Sequence, residues 1–150
     1  MWTHYCGLFS SAKISGDNLS ILRDERRALF REAVALPACE RYVPIDFWAH
    51  ARDRDDPFAV FAGEAKGAVC LAVFNWHEEP REFRLSGLAA ERWRACEKIS
   101  GPGEVQVRDV VLTVRLPRHS SAVLAMGRGV RFDDVRRALG VEARVVSIAP

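Results

Sequence analysis

Asp17 is the acid whose surroundings suit chemistry best: the short run Lys13-Ile14-Ser15 stops at Gly16, and helix-starting residues follow at once. A polar strand end leading into a helix N-terminus is where α/β barrels place their working groups. The same position suits an aspartate that only caps the first helical amides, so spacing leaves both readings of Asp17 open. Ser10 and Ser11 lie near His4, but no Gly-x-Ser-x-Gly pattern surrounds them. A serine nucleophile also needs a base held by a third group and a turn that exposes it. Glu78 and Glu79 are neighbours, and neighbouring side chains point apart, whereas an acid/base pair must face across a site. They read as a solvated hairpin tip. Trp48, Trp76 and Trp93 have indole faces of the kind that stack on a pyranose, and such residues equally fill the core of a sandwich. Cys6, Cys39, Cys70 and Cys96 are scattered, with no Cys-x-x-Cys pair and no histidine at ligand spacing. They read as buried thiols, and no metal or cofactor is expected.

The composition narrows the classes. The apolar share is 49% and the net charge only +2, which argues against disorder and against a broad phosphate-binding field. Nucleic acid is not an expected partner. Among basic residues lysine occurs only at Lys13, Lys66 and Lys98, a bias that says little about function. No apolar run approaches the ~20 residues of a membrane span, and Met1-Trp2-Thr3-His4 does not open a secretory leader. A cytoplasmic chain without a membrane partner is the expectation.

Candidate side chains need elements to hold them. Ala68 to Trp76 has no charge and many β-formers, which predicts a central strand buried on both faces. Arg81 to Leu85 alternates charge with bulk, as a half-solvated neighbour paired through the intervening turn would. Upstream, Met1 to Phe9 begins as though inside a helix, and Lys13 to Ser15 reads as a short strand. Asp17, Asn18 and Ser20 are N-cap types, and Ser20 to Leu36 reads as a helix with Leu22, Leu29, Phe30, Ala33 and Leu36 along one stripe. Pro37 to Pro57 reads as a connector and domain boundary. Further strands are predicted at Phe58 to Phe61, Glu82 to Leu85, Arg92 to Lys98, Glu104 to Val107, Val110 to Leu116 and Ser121 to Met126. That spacing is typical of an antiparallel sandwich. Phe132, Val135 and Leu139 predict a short helix stopped by Gly140, with a last strand over Val141 to Ile148.

Three segments in this order resemble the C-terminal end of α-galactosidases and raffinose synthases, glycoside hydrolase family 36. They are Phe9-Ser10-Ser11-Ala12-Lys13-Ile14-Ser15-Gly16-Asp17-Asn18-Leu19-Ser20-Ile21-Leu22, then Val43-Pro44-Ile45-Asp46-Phe47-Trp48, then Val73-Phe74-Asn75-Trp76-His77-Glu78-Glu79-Pro80-Arg81-Glu82-Phe83. Leu116-Pro117-Arg118-His119-Ser120-Ser121 looks like that family's closing Leu-Pro-x-His-Ser stretch. The likeness covers roughly Met1 to Gly127, and nothing familiar matches Arg128 to Pro150. It implies that Lys13 to Ser15 is the last strand of a (β/α)8 barrel, Ser20 to Leu36 the last barrel helix, and Phe58 onward a C-terminal sandwich. It also implies that the retaining carboxylates lie on barrel strands before anything matching Met1, so no residue here inherits a catalytic role. Asp17 and Asn18 would stand at the substrate rim.

The expected fold is therefore mainly β: a C-terminal antiparallel β-sandwich over 58–127, preceded over 1–57 by a strand-helix remnant of a barrel and a connector, and followed by a helix-strand extension over 128–150. One strand and one helix cannot cover each other's apolar faces, so the N-terminal third calls for a partner surface. A chain supplying the missing barrel, or self-association, would provide it, and galactosides are the expected small molecules. The competing expectation is a free-standing sandwich module that binds carbohydrate or another subunit, with its N-terminal helix folded onto its own sheet and Trp76 or Trp93 exposed. A third is a remnant without activity.

Overall fold

The apolar run at the middle of the chain folds as expected, and the remaining strands are placed around it. The computed structural model describes residues 7–9, 21, 23–36, 38–45 and 58–142, with 140–142 described by backbone alone. In chain order the elements are helix α1 (Asp24–Ala35), strands β1 (Arg41–Pro44), β2 (Val60–Ala65), β3 (Ala68–Asn75) and β4 (Arg81–Leu85), helix α2 (Ala90–Arg94), strands β5 (Glu97–Ser100), β6 (Glu104–Arg108), β7 (Val111–Leu116) and β8 (Ser120–Ala125), and helix α3 (Phe132–Glu142). The fold is mainly β. A five-stranded antiparallel sheet in the order β1-β2-β3-β8-β5 packs on a three-stranded antiparallel sheet in the order β4-β7-β6.

β3 is central because its composition permits nothing else. Past Ala68 every residue of the strand is buried, and an all-apolar strand is stable only where both faces and both edges are covered. Its alternate side chains divide between two cores. Val69, Leu71 and Val73 face the three-stranded sheet, meeting Phe83, Leu85, Leu112, Val114 and Leu116. Cys70, Ala72 and Phe74 face the other way, joining Phe61 and Val123 beneath Leu8 and Leu36. The larger sheet is thus the middle layer of three, and the N-terminal elements lie on its outer face. Glu32 of α1 accepts a hydrogen bond from Ser100 Oγ of β5.

The β2–β3 hairpin closes through Lys66 and Gly67, with Ala65 opposite Ala68. Both turn residues have positive φ, +51° and +75°, the geometry whose twist matches that of the flanking strands. In β7, Leu112, Val114 and Leu116 point inward while Val111, Thr113 and Arg115 are more exposed, the expected phase. Val110, expected at the start of that strand, lies in the β6–β7 turn and is exposed.

Several expectations are corrected. β4 does not pair with β3. β3 is flanked by β2 and β8, so no edge remains for β4, and the chain instead crosses to the second sheet, where β4 pairs with β7. The segment expected as a strand over Arg92 to Lys98 is helix α2 followed by β5. Ala, Glu and Arg favour a helical turn there, and an alternation of three residues cannot separate the two periods. Inside the stretch read as a connector, β1 pairs with β2 as the edge of the larger sheet. α1 starts at Asp24 rather than Ser20. Its stripe is covered only in part: Ala33 and Leu36 are buried, whereas Leu29 is 50% exposed. α3 runs through Gly140 to Glu142, so Gly140 does not stop it and Val141 begins no strand. Phe132, Val135 and Leu139 are buried in the main core as expected, which makes this helix part of the sandwich. The strand expected at Lys13 to Ser15 and residues 143–148 lie outside the described residues.

On the outer face of the smaller sheet, charge alternates from strand to strand. Arg84 Nε donates to Glu82 Oε1 at 2.8 Å and Arg115 Nε to Glu82 Oε2 at 2.6 Å. Those two guanidinium groups, Arg115 first, hold the Glu82 carboxyl below the usual carboxylate range. Glu104 of β6 stands opposite Arg115 in the ladder.

The inward phase of β7 is open to a paired test. Leu112→Ala, which empties a fully buried site, should cost about 2–5 kcal/mol in urea denaturation. Val110→Ala, two residues earlier, should stay within roughly 0.5 kcal/mol of the parent.

Candidate functional site

β3 ends in a polar residue that the core does not release. Asn75 is fully buried, and a buried amide is tolerated only where its hydrogen bonds are made. Its Nδ2 donates to the carbonyls of Glu79 at 2.8 Å and Pro117 at 2.9 Å, with Leu116 O farther away at 3.4 Å. Its Oδ1 accepts from the His77 amide at 3.1 Å. Glu79 and His77 belong to the crossing from β3 to β4, and Pro117 to the crossing from β7 to β8. One side chain therefore fastens two of the passages between the sheets, β3 to β4 and β7 to β8.

Other bonds tighten this corner. The His119 amide donates to His77 O at 3.2 Å, and Ser120 Oγ to Pro117 O at 2.6 Å. His119 takes a φ of +46°, an uncommon conformation in which histidine is enriched. Its Nε2 lies 2.8 Å from Glu78 Oε1, both side chains being largely in solvent, so this pair is worth little to stability. Glu78 and Glu79 are exposed as expected, but at a sheet crossing rather than a hairpin tip.

Trp76 follows from the same register. Two residues beyond Phe74, it lies on the same outer side of the sheet, where the rings stack with centroids 5.3 Å apart and planes 18° from parallel. Its Nε1 donates to Phe58 O at 2.9 Å. The indole is half-buried. Trp93, the other stacking candidate, is fully buried in the main core, leaving no face for a sugar; its Nε1 has no acceptor among the described residues. Asp17, Asn18 and Trp48 lie outside the described residues, as do His4, Ser10, Ser11 and Cys6. The structure therefore brings Trp76 to the Asn75 corner and keeps Trp93 away from it.

The thiols also have defined surroundings. Cys39 Sγ lies 3.6 Å from Cys70 Sγ, and both pack over Gly63, where a Cβ would meet Cys39 Sγ at 2.5 Å. The hydrogen bond with Cys39 and then burial raise the Cys70 pKa. Burial pushes the Cys96 thiol up to about 11. Among the described residues no group of three or more His, Cys, Asp or Glu side chains is placed to hold a metal ion. An imidazole paired with a carboxylate can orient a proton, and the hydroxyl of the adjacent Ser120 is engaged with Pro117 O.

Sequence reasoning passed over Asn75 as a simple end to the strand. Part of the signal was present: an amide closing a run of buried β-formers must find partners. Compared with family models, curated proteins and solved structures, the chain matches none.

Asn75→Ala should lower stability by about 2–4 kcal/mol, since it strands the His77 amide and two carbonyls that water reaches only in part. Equilibrium denaturation checks this. For Cys96, alkylation should be slow at neutral pH and accelerate as pH approaches about 11, because only the thiolate reacts; peptide mapping after timed labelling reads the rate.

Proposed function

We propose that this chain is the C-terminal β-sandwich portion of an α-galactosidase-like glycoside hydrolase, whose parent activity is retaining hydrolysis of α-galactosides, and that by itself it is not catalytic. The observation that supports the reading is the convergence at one corner of two stretches that carry the resemblance. Phe74-Asn75-Trp76 and Leu116-Pro117-Arg118-His119-Ser120 are separated in sequence yet joined through Asn75 Nδ2 and Pro117 O. Their residue types are thus linked by a physical requirement, because an amide at 75 needs the carbonyls that the second stretch presents. The strand-helix remnant of a barrel belongs to the same proposal, with Asp17 and Asn18 at the rim of a substrate site completed by another chain.

Retaining glycosidases need two carboxyl groups about 5–5.5 Å apart across the scissile bond. Acids among the described residues pair with Arg, His or Ser instead: Glu82 with Arg84 and Arg115, Glu64 and Asp133 with Arg41, Asp24 with Arg27, Asp134 with Arg92, Glu78 with His119 and Glu32 with Ser100. In this proposal the sandwich contributes support and a rim, and its carboxylates contribute no chemistry.

A second reading, a non-catalytic module that binds carbohydrate, is favoured by one observation. The half-buried indole of Trp76 is anchored at Nε1 and backed by Phe74, and a ring so held is a rigid platform for a sugar.

The purified chain should release no nitrophenol from an aryl α-galactoside above the buffer rate. Turnover that Asp17→Asn abolishes would sink the non-catalytic assignment. Titration with galactose, melibiose and raffinose separates the second reading: a change in tryptophan emission that disappears in Trp76→Phe supports it, and an unchanged spectrum removes it.

A further inference from the structure

The smaller sheet ends at β6, whose outer edge pairs with no other strand among the described residues. In the β6–β7 hairpin Arg108 stands opposite Val111 across the turn Asp109-Val110, followed by Val107 opposite Leu112, Gln106 opposite Thr113, Val105 opposite Val114 and Glu104 opposite Arg115. A two-residue hairpin closes on a hydrogen-bonded pair, after which bonded and non-bonded pairs alternate. Arg108, Gln106 and Glu104 therefore spend their backbone groups on β7, while the N–H and C=O of Val105 and Val107 point away from the sheet. Among the described residues no strand pairs with that edge.

We propose that two copies of this chain associate through β6, antiparallel about a dyad at Gln106. This inference rests on the edge alone and not on the hydrolase reading. In that register Val105 of one copy faces Val107 of the other, so the outward amides and carbonyls of both strands meet in hydrogen-bonded pairs. Shifting the pairing by one residue would set outward groups against inward ones and fail. The side chains agree with the backbone. Glu104 of each copy stands beside Arg108 of the other on the outer face, and the two Gln106 side chains meet on the dyad. Glu104, Gln106 and Arg108 are all exposed, and Arg108 has no ion-pair partner among the described residues. The alternation of charge that runs from Arg84 through Glu82 to Arg115 and on to Glu104 would thus continue across the dyad to Arg108 of the second copy.

The inner side is open as well. An open groove of about 820 Å³ runs between the edges of β5 and β6, lined by Arg94, Cys96, Lys98, Val105 and Val107 among others. Cross-strand partners share a face, so the second copy's Val107 and Val105 would lie over this groove beside the first copy's half-buried valines. The opposite edge, β4, is less suited, because Glu82 is already held by Arg84 and Arg115. Pairing through β6 is isologous and closes at two copies.

Sedimentation velocity of the full chain over a micromolar dilution series tests the proposal. A concentration-dependent dimer is expected, and a monomer throughout overturns it. Glu104→Arg and Arg108→Glu each set like charges across the dyad and should weaken the dimer about tenfold or more. The double exchange should restore the parent's affinity. A dimer indifferent to the single exchanges, or one that the double exchange does not restore, overturns the assignment to β6. Val105→Pro removes an outward amide while sparing the β7 ladder, a substitution an edge strand accepts. Its circular dichroism should match the parent and its dimer should be lost, so a folded variant that dimerises as before also overturns the proposal. Should the proline variant not fold, the charge exchanges decide alone.

Discussion

A single carboxamide, that of Asn75, sets the terms on which the two sheets are joined. It is fully buried at the end of β3, where burial keeps it from solvent and its hydrogen bonds must be made within the protein. The partners come from two crossings, the Glu79 carbonyl and His77 amide from β3–β4 and the Pro117 carbonyl from β7–β8. Because those atoms belong to segments far apart in sequence, one cannot shift without leaving a buried polar group unpaired in the other, at a cost of about 1–3 kcal/mol for each. The angle at which β3 leaves its sheet and β8 joins it is thereby fixed.

The same strand explains the layering. β3 is apolar on both sides, so a simple two-sheet sandwich would leave Phe74 and its neighbours in water. The N-terminal elements supply the third layer: Leu8 and Leu36 close over Phe61, Phe74 and Val123. The N-terminal third was expected to need a partner surface from another chain or from self-association, and its described residues lie instead on a surface of the same chain. The surface that covers Leu8 and Leu36 is the chain's own sheet, while Leu29 and Val34 of α1 stay exposed.

Features governed by local pattern were legible in the sequence. The uninterrupted run of β3, the alternation through Leu112, Val114 and Leu116, and the helical spacing of Phe132, Val135 and Leu139 each reflect burial on a defined face. Features decided by tertiary competition were not. Arg81 to Leu85 carries a correct strand pattern, but alternation does not say which strand is the neighbour, and both edges of β3 were taken. β1 is too short and too polar to stand out from the connector, and exists because β2 offers it an edge. Of the strand expected over Arg92 to Lys98, only the end from Glu97 is strand, because Trp93 fits a buried helix turn as well as it fits a strand. Of the candidate site, Trp76 could be placed from its spacing to Phe74, whereas the role of Asn75 depended on Pro117, 42 residues away in sequence though in contact in the fold, and no local pattern carries that information. Asp17 and Asn18 fall outside the described residues.

The strand order has a consequence for how the molecule comes together. The hairpins β2–β3 and β6–β7 turn on two residues each and cost little chain entropy to close. The β3–β8 ladder, from Cys70 opposite Ala125 to Asn75 opposite Ser120, joins segments between which the whole of the smaller sheet is made. Closing so long a segment forfeits freedom before the ladder returns any contact, and non-local pairing of this kind slows folding. By that reasoning the middle of the larger sheet, which is the most buried part of the finished protein, is the last of its pairings to be reached.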